Sequence, residues 1–461
     1  MGIEYLGLSS INGPLVILEG VQDAFFDEIV EFMVDGKTKK IGRIIELYED
    51  KAVIQVFEGT ENMSLDNTRT KLTGHPMEVS LAPDMLGRTF NGIGKPIDGL
   101  GPLITDVKRD VNGLPLNPVR RKYPRNYIRT GISAIDGLTT LIRGQKLPIF
   151  SGNGLPHDQL AAQIVKQASL GDGSDEPFAV VFGAMGVKHD VADFFQKTFE
   201  ESGVADHVCM FLNLANDPVV ERLITPKVAL TAAEYLAFDC NMHILVILTD
   251  MTSFAEAMRE VSSSKGEIPS RKGYPGYLYS ELATLYERAG IIEGAEGSVT
   301  QLPILTMPND DITHPIPDLT GYITEGQIVL DRNLNGQTIY PPISVLPSLS
   351  RLMKDGIGEG YTREDHQDLA NQLFSAYAKV GEARNLASVI GEDELSPIDK
   401  KYLEFGKVFE ERYIGQGPDE NRSMIETLDL GWELLKILPR EELDRIDTKI
   451  IDKYLPKEQD S

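Results

Sequence analysis

Continuous apolar segments that alternate with helical stretches in the middle of the chain limit most strongly what this sequence can fold into. Phe178 to Phe182 and His243 to Leu248 are apolar almost throughout. Strands that are buried on both faces of a sheet have this composition, and the helices between them form the crossovers of a parallel sheet. The pattern therefore predicts an α/β domain from about residue 76 to residue 355.

The two ends of the chain have different patterns. Before residue 76, short apolar segments such as 14–18 and 52–57 are separated by turn residues, a spacing typical of a small β-barrel or sandwich. After residue 355 there is no strand-like run, and stretches such as 369–378 and 425–438 have helical periodicity. We predict three domains: a β-domain at 1–75, an α/β domain at 76–355 and a helical bundle at 356–461.

The charge balance excludes several classes of protein. The 461 residues include 45 Lys and Arg against 70 Asp and Glu, which gives a net charge of −25. Binding to DNA, RNA or anionic lipid needs clustered basic side chains, so we expect no nucleic-acid partner and no adsorption to lipid. The longest apolar run, Ile244 to Leu248, is far shorter than the roughly 20 residues that span a bilayer, and the N-terminus lacks the pattern of a signal peptide. We expect a cytoplasmic chain without membrane insertion.

The cysteines and histidines predict no metal site. Cys209 and Cys240 are the two cysteines, and both lie in apolar stretches of sequence. We expect both to be reduced core residues, because a disulfide framework needs more cysteines. Two distant thiols and seven scattered histidines also do not make a zinc site.

The most informative segment is a loop that lies where a phosphate-binding P-loop belongs, between the strand ending at Phe150 and the helix-like stretch 159–165. A working P-loop has the pattern G-x-x-x-x-G-K-S/T, in which backbone N–H groups and the Lys bind phosphate and the hydroxyl holds Mg²⁺. In this chain the first Gly is replaced by Ser151, and the last three positions are Pro156, His157 and Asp158. Pro156 removes a backbone donor, His157 is mostly neutral at pH 7 and Asp158 repels phosphate. These changes predict that ordinary Mg-ATP chemistry is lost; the loop by itself could equally be a strand–turn–helix connection without function.

A second segment resembles another part of a nucleotide site. The apolar strand that begins at His243 ends in Thr249-Asp250, which is the form of the Walker B strand that orients Mg²⁺. An Asp at a strand end is also a common helix N-cap, for which Thr252 or Ser253 could equally serve. The predicted degenerate nucleotide site, with weak or no binding, consists of Gly152, Asn153, Gly154, Leu155, Pro156, His157, Asp158 and Asp250.

The pattern as a whole resembles one family over about residues 10 to 455. The motifs that carry the resemblance are Gly59, 86–88, 94–98, 130–136 (TGISAID), 150–164, 230–238, 273–277 (GYPGY), 286–290 (YERAG), 310–328 and 346–353 (LPSLSRLM). In these motifs the chain is similar to the non-catalytic B subunits of the V-type and A-type rotary ATPases, within the F/V/A ATPase α/β-subunit family, and the GLPH form of the loop is particular to these subunits.

The resemblance implies a fold and a set of partners. The implied fold is α/β, with an N-terminal β-barrel, a central RecA-like parallel sheet of the P-loop NTPase type and a C-terminal helical bundle. The implied assembly is a ring in which three of these chains alternate with three catalytic A subunits, together with central-stalk and peripheral-stalk subunits, as a peripheral complex on the cytoplasmic face of a membrane. ATP or ADP with Mg²⁺ would lie at the interface with the catalytic partner, and this chain alone would bind none tightly.

The resemblance also implies which residues act. Arg351, in the segment LPSLSR, corresponds to an arginine finger that is supplied in trans. A guanidinium presents forked donors to a γ-phosphate, and a finger of this kind is worth about 10³- to 10⁵-fold in rate. Catalytic members of the family have Gly-Glu-Arg where this chain has Gly186-Val187-Lys188, so the residue that positions the attacking water is absent here.

The sequence conflicts with two other functions and leaves a third to experiment. A self-sufficient ATPase conflicts with Pro156, His157, Asp158 and Val187. A ring-shaped nucleic-acid translocase has a similar core fold but conflicts with the net charge of −25 and with the altered loop. A scaffold without a finger is distinguished only by experiment at Arg351. The sequence leaves open whether the transported ion is H⁺ or Na⁺ and whether the complex mainly makes or consumes ATP.

Overall fold

The computed structural model describes residues 3–113, 116–171 and 173–455. The chain divides into two compact units. The first unit consists of Met1–Asn117 and Ala179–Arg288, and the second consists of Pro118–Phe178 and Ala289–Ser461.

The longest strands lie in the N-terminal region and in the middle of the chain. In chain order the strands are β1 (Glu4–Leu6), β2 (Ser10–Asn12), β3 (Leu15–Glu19), β4 (Glu28–Val34), β5 (Thr38–Tyr48), β6 (Lys51–Val56), β7 (Arg69–Pro76), β8 (Glu78–Ser80), β9 (Thr89–Asn91), β10 (Lys108–Asp110), β11 (Arg121–Lys122), β12 (Ile128–Arg129), β13 (Ile149–Ser151), β14 (Ser169–Leu170), β15 (Phe178–Val187), β16 (Val208–Leu214), β17 (His243–Thr249), β18 (Gly290–Ile292), β19 (Ser298–Thr306), β20 (Gly326–Leu330) and β21 (Ile343–Ser350).

The α-helices are interspersed with strands as far as β21, and in the described residues only helices follow it. In chain order they are α1 (Ser133–Asp136), α2 (His157–Gln167), α3 (His189–Glu201), α4 (Val219–Glu234), α5 (Met251–Ser264), α6 (Leu278–Tyr286), α7 (Pro315–Ile323), α8 (Arg332–Gly336), α9 (His366–Ile390), α10 (Pro397–Val408), α11 (Met424–Leu435) and α12 (Thr448–Tyr454).

The N-terminal part of the first unit is an antiparallel sheet with the strand order β1-β7-β4-β5-β6-β3-β2. Alternate side chains point into one apolar core, which includes the fully buried Val16, Phe32 and Ile54. Gly42 has no room for a side chain, since a Cβ there would lie 2.8 Å from the Gln55 carbonyl oxygen and 3.0 Å from the Phe32 ring. The strands predicted at 14–18 and 52–57 are confirmed as β3 and β6.

The rest of the first unit contains the strands in the order β17-β15-β16-β9. β15 is parallel to β16, and β16 is parallel to β9. Every residue of β17 is buried, and helices α3 to α5 separate or follow these strands in the chain. The unbroken apolar runs are therefore buried strands of this sheet, and the run at 178–182 belongs to a parallel pair, as its composition predicts.

The second unit contains the strands in the order β21-β20-β13-β19. β13 is parallel to both β19 and β20, and β20 is antiparallel to β21. The carboxyl ends of β13, β19 and β20 therefore lie at the same edge of the sheet, where side chains that follow these strands can meet.

The C-terminal helices of the second unit enclose a large apolar core. Trp432 is 1% exposed and packs in the same cluster as Leu369, Phe405 and Tyr413. Helix α11 begins with a capping box, because the Ser423 hydroxyl accepts from the N–H of Glu426 and the Glu426 carboxylate accepts from the N–H of Ser423. The described residues after β21 contain no strand, so the helical prediction for this region is confirmed.

A buried ion pair lies inside this core. Asp365 is fully buried and accepts two hydrogen bonds from Arg363, with distances of 2.6 and 2.9 Å. The Trp432 indole N–H also donates to Asp365, at 2.6 Å. Burial opposes the ionisation of Asp365, but the hydrogen bonds from Arg363 and Trp432 overcome it, and the pKa of the carboxyl is lowered.

The prediction of core cysteines is confirmed for Cys209 and wrong for Cys240. Cys209 is fully buried in β16, and burial raises its pKa above the usual range of a thiol. Cys240 is only partly buried and follows the helical turn Tyr235–Asp239. The prediction that it is a core residue is wrong, because the chain leaves the helix at this point before it enters β17. Both thiols are free.

The helices lack membrane-spanning character wherever the structure describes them. In residues 3–113, 116–171 and 173–455, none has both the length and the apolar composition that a bilayer crossing requires.

Candidate functional site

The degenerate loop joins β13 to α2 in the second unit. The N–H of Leu155 donates to the Gly152 carbonyl oxygen at 3.1 Å, and the N–H of His157 donates to the Leu155 carbonyl oxygen at 2.9 Å. Pro156, between them, is the N-cap of α2 and has no N–H. These three positions therefore offer no free backbone donor to a phosphate, and backbone donors are the groups with which a P-loop binds phosphate.

The side chains at the altered positions of the loop also contact one another. The His157 ring nitrogen Nδ1 lies 2.9 Å from the Ser151 hydroxyl oxygen, and Nε2 lies 3.7 Å from the Asp158 carboxylate. His157 is mostly buried, with 14% of its side chain exposed. The imidazole thus turns back towards the strand end instead of extending over the loop as a P-loop Lys does.

An ion pair that the sequence interpretation missed lies against the same loop. Arg332, at the start of α8, donates to both carboxylate oxygens of Asp310 at 2.6 and 2.9 Å. It also donates to the Asn153 carbonyl oxygen at 2.9 Å. A Cβ at Gly152 would lie only 2.1 Å from Asp310 Oδ1, so the carboxylate is in direct contact with the loop. The hydrogen bond from Arg332 holds the pKa of Asp310 below its usual range.

The sequence contains a signal that places Asp310 and Arg332 near each other. Asp310 follows β19 and Arg332 follows β20, and both strands are parallel neighbours of β13. Polar residues that follow neighbouring parallel strands meet at one edge. Asp310 begins the family motif at 310–328, but sequence reasoning alone assigned it no role.

A cavity of about 930 Å³ lies beside helix α2 in the second unit. Its lining includes Gln159 of α2, Tyr340 and the segment 415–418. The volume is in the range of small-molecule sites, roughly 300–1,000 Å³. The sequence interpretation missed this cavity, because its walls come from segments that are far apart in the chain.

The segment 415–422 is tied to the loop helix by side-chain hydrogen bonds. Gln163 on α2 donates to the carbonyl oxygens of Gly417 and Glu420 at 3.0 and 3.1 Å. Gln416 donates to the Gly131 carbonyl oxygen at 2.6 Å and accepts from the Ser133 N–H at 3.0 Å. The helical C-terminal region is therefore joined directly to the helix that follows the loop and to the motif at 130–136.

Asp250 and Val187 lie in the first unit. Asp250 is the N-cap of α5, and its carboxylate accepts from the Thr252 N–H at 2.9 Å. It therefore has the capping role that the sequence left open, and that role does not exclude another. Val187 ends β15 and is 8% exposed, so an apolar and nearly buried side chain occupies this position.

Arg351 follows the last residue of β21 and is exposed. Its backbone N–H donates to the Glu325 carbonyl oxygen at 2.9 Å, which extends the β20–β21 pairing and fixes the position of the main chain. Its guanidinium makes one long hydrogen bond, 3.5 Å to the Thr324 carbonyl oxygen. In the described part of the chain, no carboxylate forms an ion pair with it. The guanidinium is thus free to reach a group outside the chain.

The donor set at the loop does not suit a magnesium-bound triphosphate. The hydroxyl that would hold Mg²⁺ is replaced by Asp158, the Lys by His157, and the loop already contacts the carboxylate of Asp310. Across the described residues, no group of at least three His, Cys, Asp or Glu side chains is arranged to hold a metal ion.

Family models match three consecutive parts of the chain. The beta-barrel domain of the ATP synthase alpha/beta family matches residues 8–74, and the nucleotide-binding domain of that family matches residues 131–350. The C-terminal domain of V and A type ATP synthase matches residues 355–455. These matches confirm the predicted fold class of N-terminal β-barrel, central parallel sheet and C-terminal helical domain.

Individual relatives are similar over nearly the full length. The V-type ATP synthase beta chain 2 of Clostridium tetani is 64% identical over 453 residues, which is 98% of each chain. The V-type ATP synthase beta chain of Halothermothrix orenii is 64% identical and covers 98% of this chain and 97% of its own length. The corresponding chain of Thermotoga neapolitana is 60% identical, with 98% of each chain covered.

A solved structure has the same fold. It is that of NeqB, an ATP synthase subunit of Nanoarcheaum equitans, which is 40% identical and covers 92% of this chain and 98% of its own, with a TM-score of 0.73. Because the relatives, the family models and this structure agree over nearly the whole sequence, the chain belongs to the ATP synthase alpha/beta family, among the V-type ATP synthase beta chains.

Proposed function

We propose that this chain is the non-catalytic B subunit of a V-type or A-type rotary ATPase. It alternates with catalytic A subunits in a six-membered ring and supplies Arg351 in trans to the nucleotide on the catalytic neighbour. The observation that carries the proposal is the state of the loop at 151–158, which retains the strand and the helix of a P-loop but not its phosphate-binding groups. A chain with such a loop contributes to ATP chemistry through a neighbouring protein of the ring.

The environment of Arg351 supports its role as an arginine finger. The exposed guanidinium of Arg351 contacts a single carbonyl oxygen at 3.5 Å, so most of its donors are available to a group outside the chain. Strand pairing fixes the backbone of Arg351, while its guanidinium can reach a group outside the chain. Forked donors of this kind stabilise the charge that develops on a transferred γ-phosphate.

The nucleotide is proposed to lie at the interface with the catalytic partner, as ATP or ADP with Mg²⁺. The residues of the degenerate site, 152–158 and Asp250, would then be structural or bind nucleotide weakly, and this chain alone would hold none tightly. The contacts of His157 with Ser151 and of Asp310 with the loop support this assignment.

The proposed contribution to coupling uses the helical C-terminal region. Hydrogen bonds from Gln163 and Gln416 join the segment 415–422 to α2 and to the motif at 130–136. A shift of the loop helix would therefore move this segment, and with it the helices that would contact a central stalk. Through that stalk and peripheral-stalk subunits, ATP hydrolysis or synthesis would be coupled to the transport of H⁺ or Na⁺ by a complex on the cytoplasmic face of a membrane.

We also propose the domain boundaries predicted above, at 1–75, 76–355 and 356–461. The family matches at 8–74, 131–350 and 355–455 are compatible with them.

Restoring the loop is expected to restore ATP binding. In a variant that combines Pro156→Gly, His157→Lys and Asp158→Thr, the loop regains a backbone donor, a cation and a hydroxyl. Each charge-assisted hydrogen bond contributes about 1.5–3 kcal/mol, so we expect the affinity for Mg-ATP to rise at least about tenfold. Isothermal titration calorimetry on the purified chain measures this affinity.

The matched control is His207→Lys, which makes the same His-to-Lys change at an exposed histidine of the first unit and should leave the affinity unchanged. Hydrolysis should stay absent in the loop variant, because Val187 remains. Equal ATP affinity in the wild type and the loop variant would show that the loop is not degenerate.

The experiment that tests the function as a whole is reconstitution with the catalytic partner. ATP hydrolysis should require both proteins, and it should depend on Arg351.

A further inference from the structure

The first unit contains a cavity of about 470 Å³ between the N-terminal strands and three helices. Helices α4 and α5 each contribute residues spaced three or four apart, which places them on one face of the helix. The lining residues that define the site are Leu223 and Lys227 of α4, Phe254 and Met258 of α5, Glu281 of α6, and Arg43 of β5. The volume lies within the roughly 300–1,000 Å³ of small-molecule sites.

The lining of the cavity combines apolar and cationic side chains. Phe254 is 1% exposed, Met258 4% and Leu223 8%. Lys227 and Arg43 line the same cavity. A site with an apolar body and a few convergent polar groups is the usual form of a pocket for an organic molecule.

Lys227 is the main polar group of this cavity. The residue is 9% exposed, and burial lowers the pKa of its ammonium group from the usual value. An ammonium group has three donors. Within the described residues it makes one hydrogen bond, to the Asn112 side-chain oxygen at 3.1 Å, and the nearest carboxylate oxygen, on Glu281, lies 4.0 Å away. Two donors of a nine-tenths buried cation therefore lack a protein acceptor in the part of the chain that the structure describes.

Three other charged side chains that line the cavity are Asp27, Arg43 and Glu281. The carboxylate of Asp27 lies 3.3 Å from Arg43 and accepts a hydrogen bond from the Asn112 amide at 2.5 Å. Glu281 forms a loose ion pair with Lys227 at 4.0 Å, and Asp27 also favours the charged form of Lys227. The capacity that remains unmet is that of two ammonium donors, which the oxygens of an acidic head group can accept.

We propose that this cavity binds a small organic anion with one acidic head group and an apolar body. The head group would accept hydrogen bonds from Lys227, and the body would pack against Phe254, Met258 and Leu223. The site is separate from the loop at 151–158 and from Arg351, so it goes beyond the function proposed above and does not depend on it.

Binding of 1-anilinonaphthalene-8-sulfonate to the full purified chain tests this proposal by fluorescence titration. The probe has an aromatic body and one sulfonate. We expect saturable binding of one equivalent, and Lys227→Met should weaken it about tenfold or more, because a charge-assisted hydrogen bond is lost. Lys197→Met is the matched control, since that side chain is 76% exposed on α3, and it should bind the probe as the wild type does.

Two further measurements separate the head group from the cavity. Met258→Trp fills part of the cavity and should also weaken binding about tenfold or more while Lys227 is retained. N-phenyl-1-naphthylamine has the same body without the sulfonate and should bind the wild type much less tightly. Equal binding of both probes, or equal binding of the sulfonate probe by the wild type and both cavity variants, would overturn the proposal.

Discussion

Replacing Arg351 by alanine is expected to lower ATP hydrolysis by the assembled complex about 10³-fold or more. The guanidinium is exposed, makes one 3.5 Å hydrogen bond to the Thr324 carbonyl oxygen and pairs with no carboxylate among the described residues. Removal of the guanidinium should therefore change the stability of the chain little. It should remove much of the transition-state stabilisation in the neighbouring active site. The turnover number at saturating ATP measures the effect.

The matched control is Arg445→Ala. Arg445 is also in the second unit and is 60% exposed, with a loose pairing to Asp444 at 3.7 Å. An exposed pair of this kind is worth about 0–1 kcal/mol, and the control complex should hydrolyse ATP at the wild-type rate. If Arg351→Ala also left the rate unchanged in an intact ring, Arg351 would not be an arginine finger.

Replacing Asp365 by alanine is expected to reduce the free energy of unfolding by about 3–5 kcal/mol, the usual cost of removing one partner from a buried ion pair. The substitution leaves the largely buried guanidinium of Arg363, which is 20% exposed, without its buried partner. It also leaves the buried indole N–H of Trp432 without an acceptor. Urea unfolding followed by fluorescence measures the loss, and Trp432, the one tryptophan of the chain, reports directly on the affected core.

Asp429→Ala is the matched control for this substitution. Asp429 binds the same guanidinium at 2.6 Å but is 62% exposed, so its removal should cost about 1 kcal/mol or less. Equal losses of unfolding free energy in the two variants would mean that the burial of Asp365 does not determine its contribution to stability.

Much of the fold could be predicted because the apolar pattern follows burial. β17 is buried at every position, and a strand of that kind has no polar face to interrupt its sequence. The helical C-terminal region is likewise visible in the spacing of residues such as Leu369 and Trp432. Cys240 is the counterexample: residues 236–238 before it are apolar, but Asp239 and Asn241 flank it, and the side chain is only partly buried.

The candidate site could be predicted only in part, for a physical reason. The altered loop is contiguous in sequence, so Pro156, His157 and Asp158 can be compared directly with a P-loop. The Asp310–Arg332 pair and the cavity beside α2 depend on contacts between distant segments. Strand order brings those segments together, and a single sequence does not specify strand order.

The central claim is that this chain is inactive alone and acts through a neighbouring protein of the ring. Phosphate release should be measured for the purified chain alone, for its catalytic partner alone and for the mixture, with wild-type chain and with Arg351→Ala. We expect no turnover by the chain alone, steady hydrolysis by the mixture, and a loss of about 10³-fold or more in the mixture that contains the variant. Phosphate release by the purified chain alone would show that the loop at 151–158 still supports catalysis and that the chain is not a non-catalytic subunit.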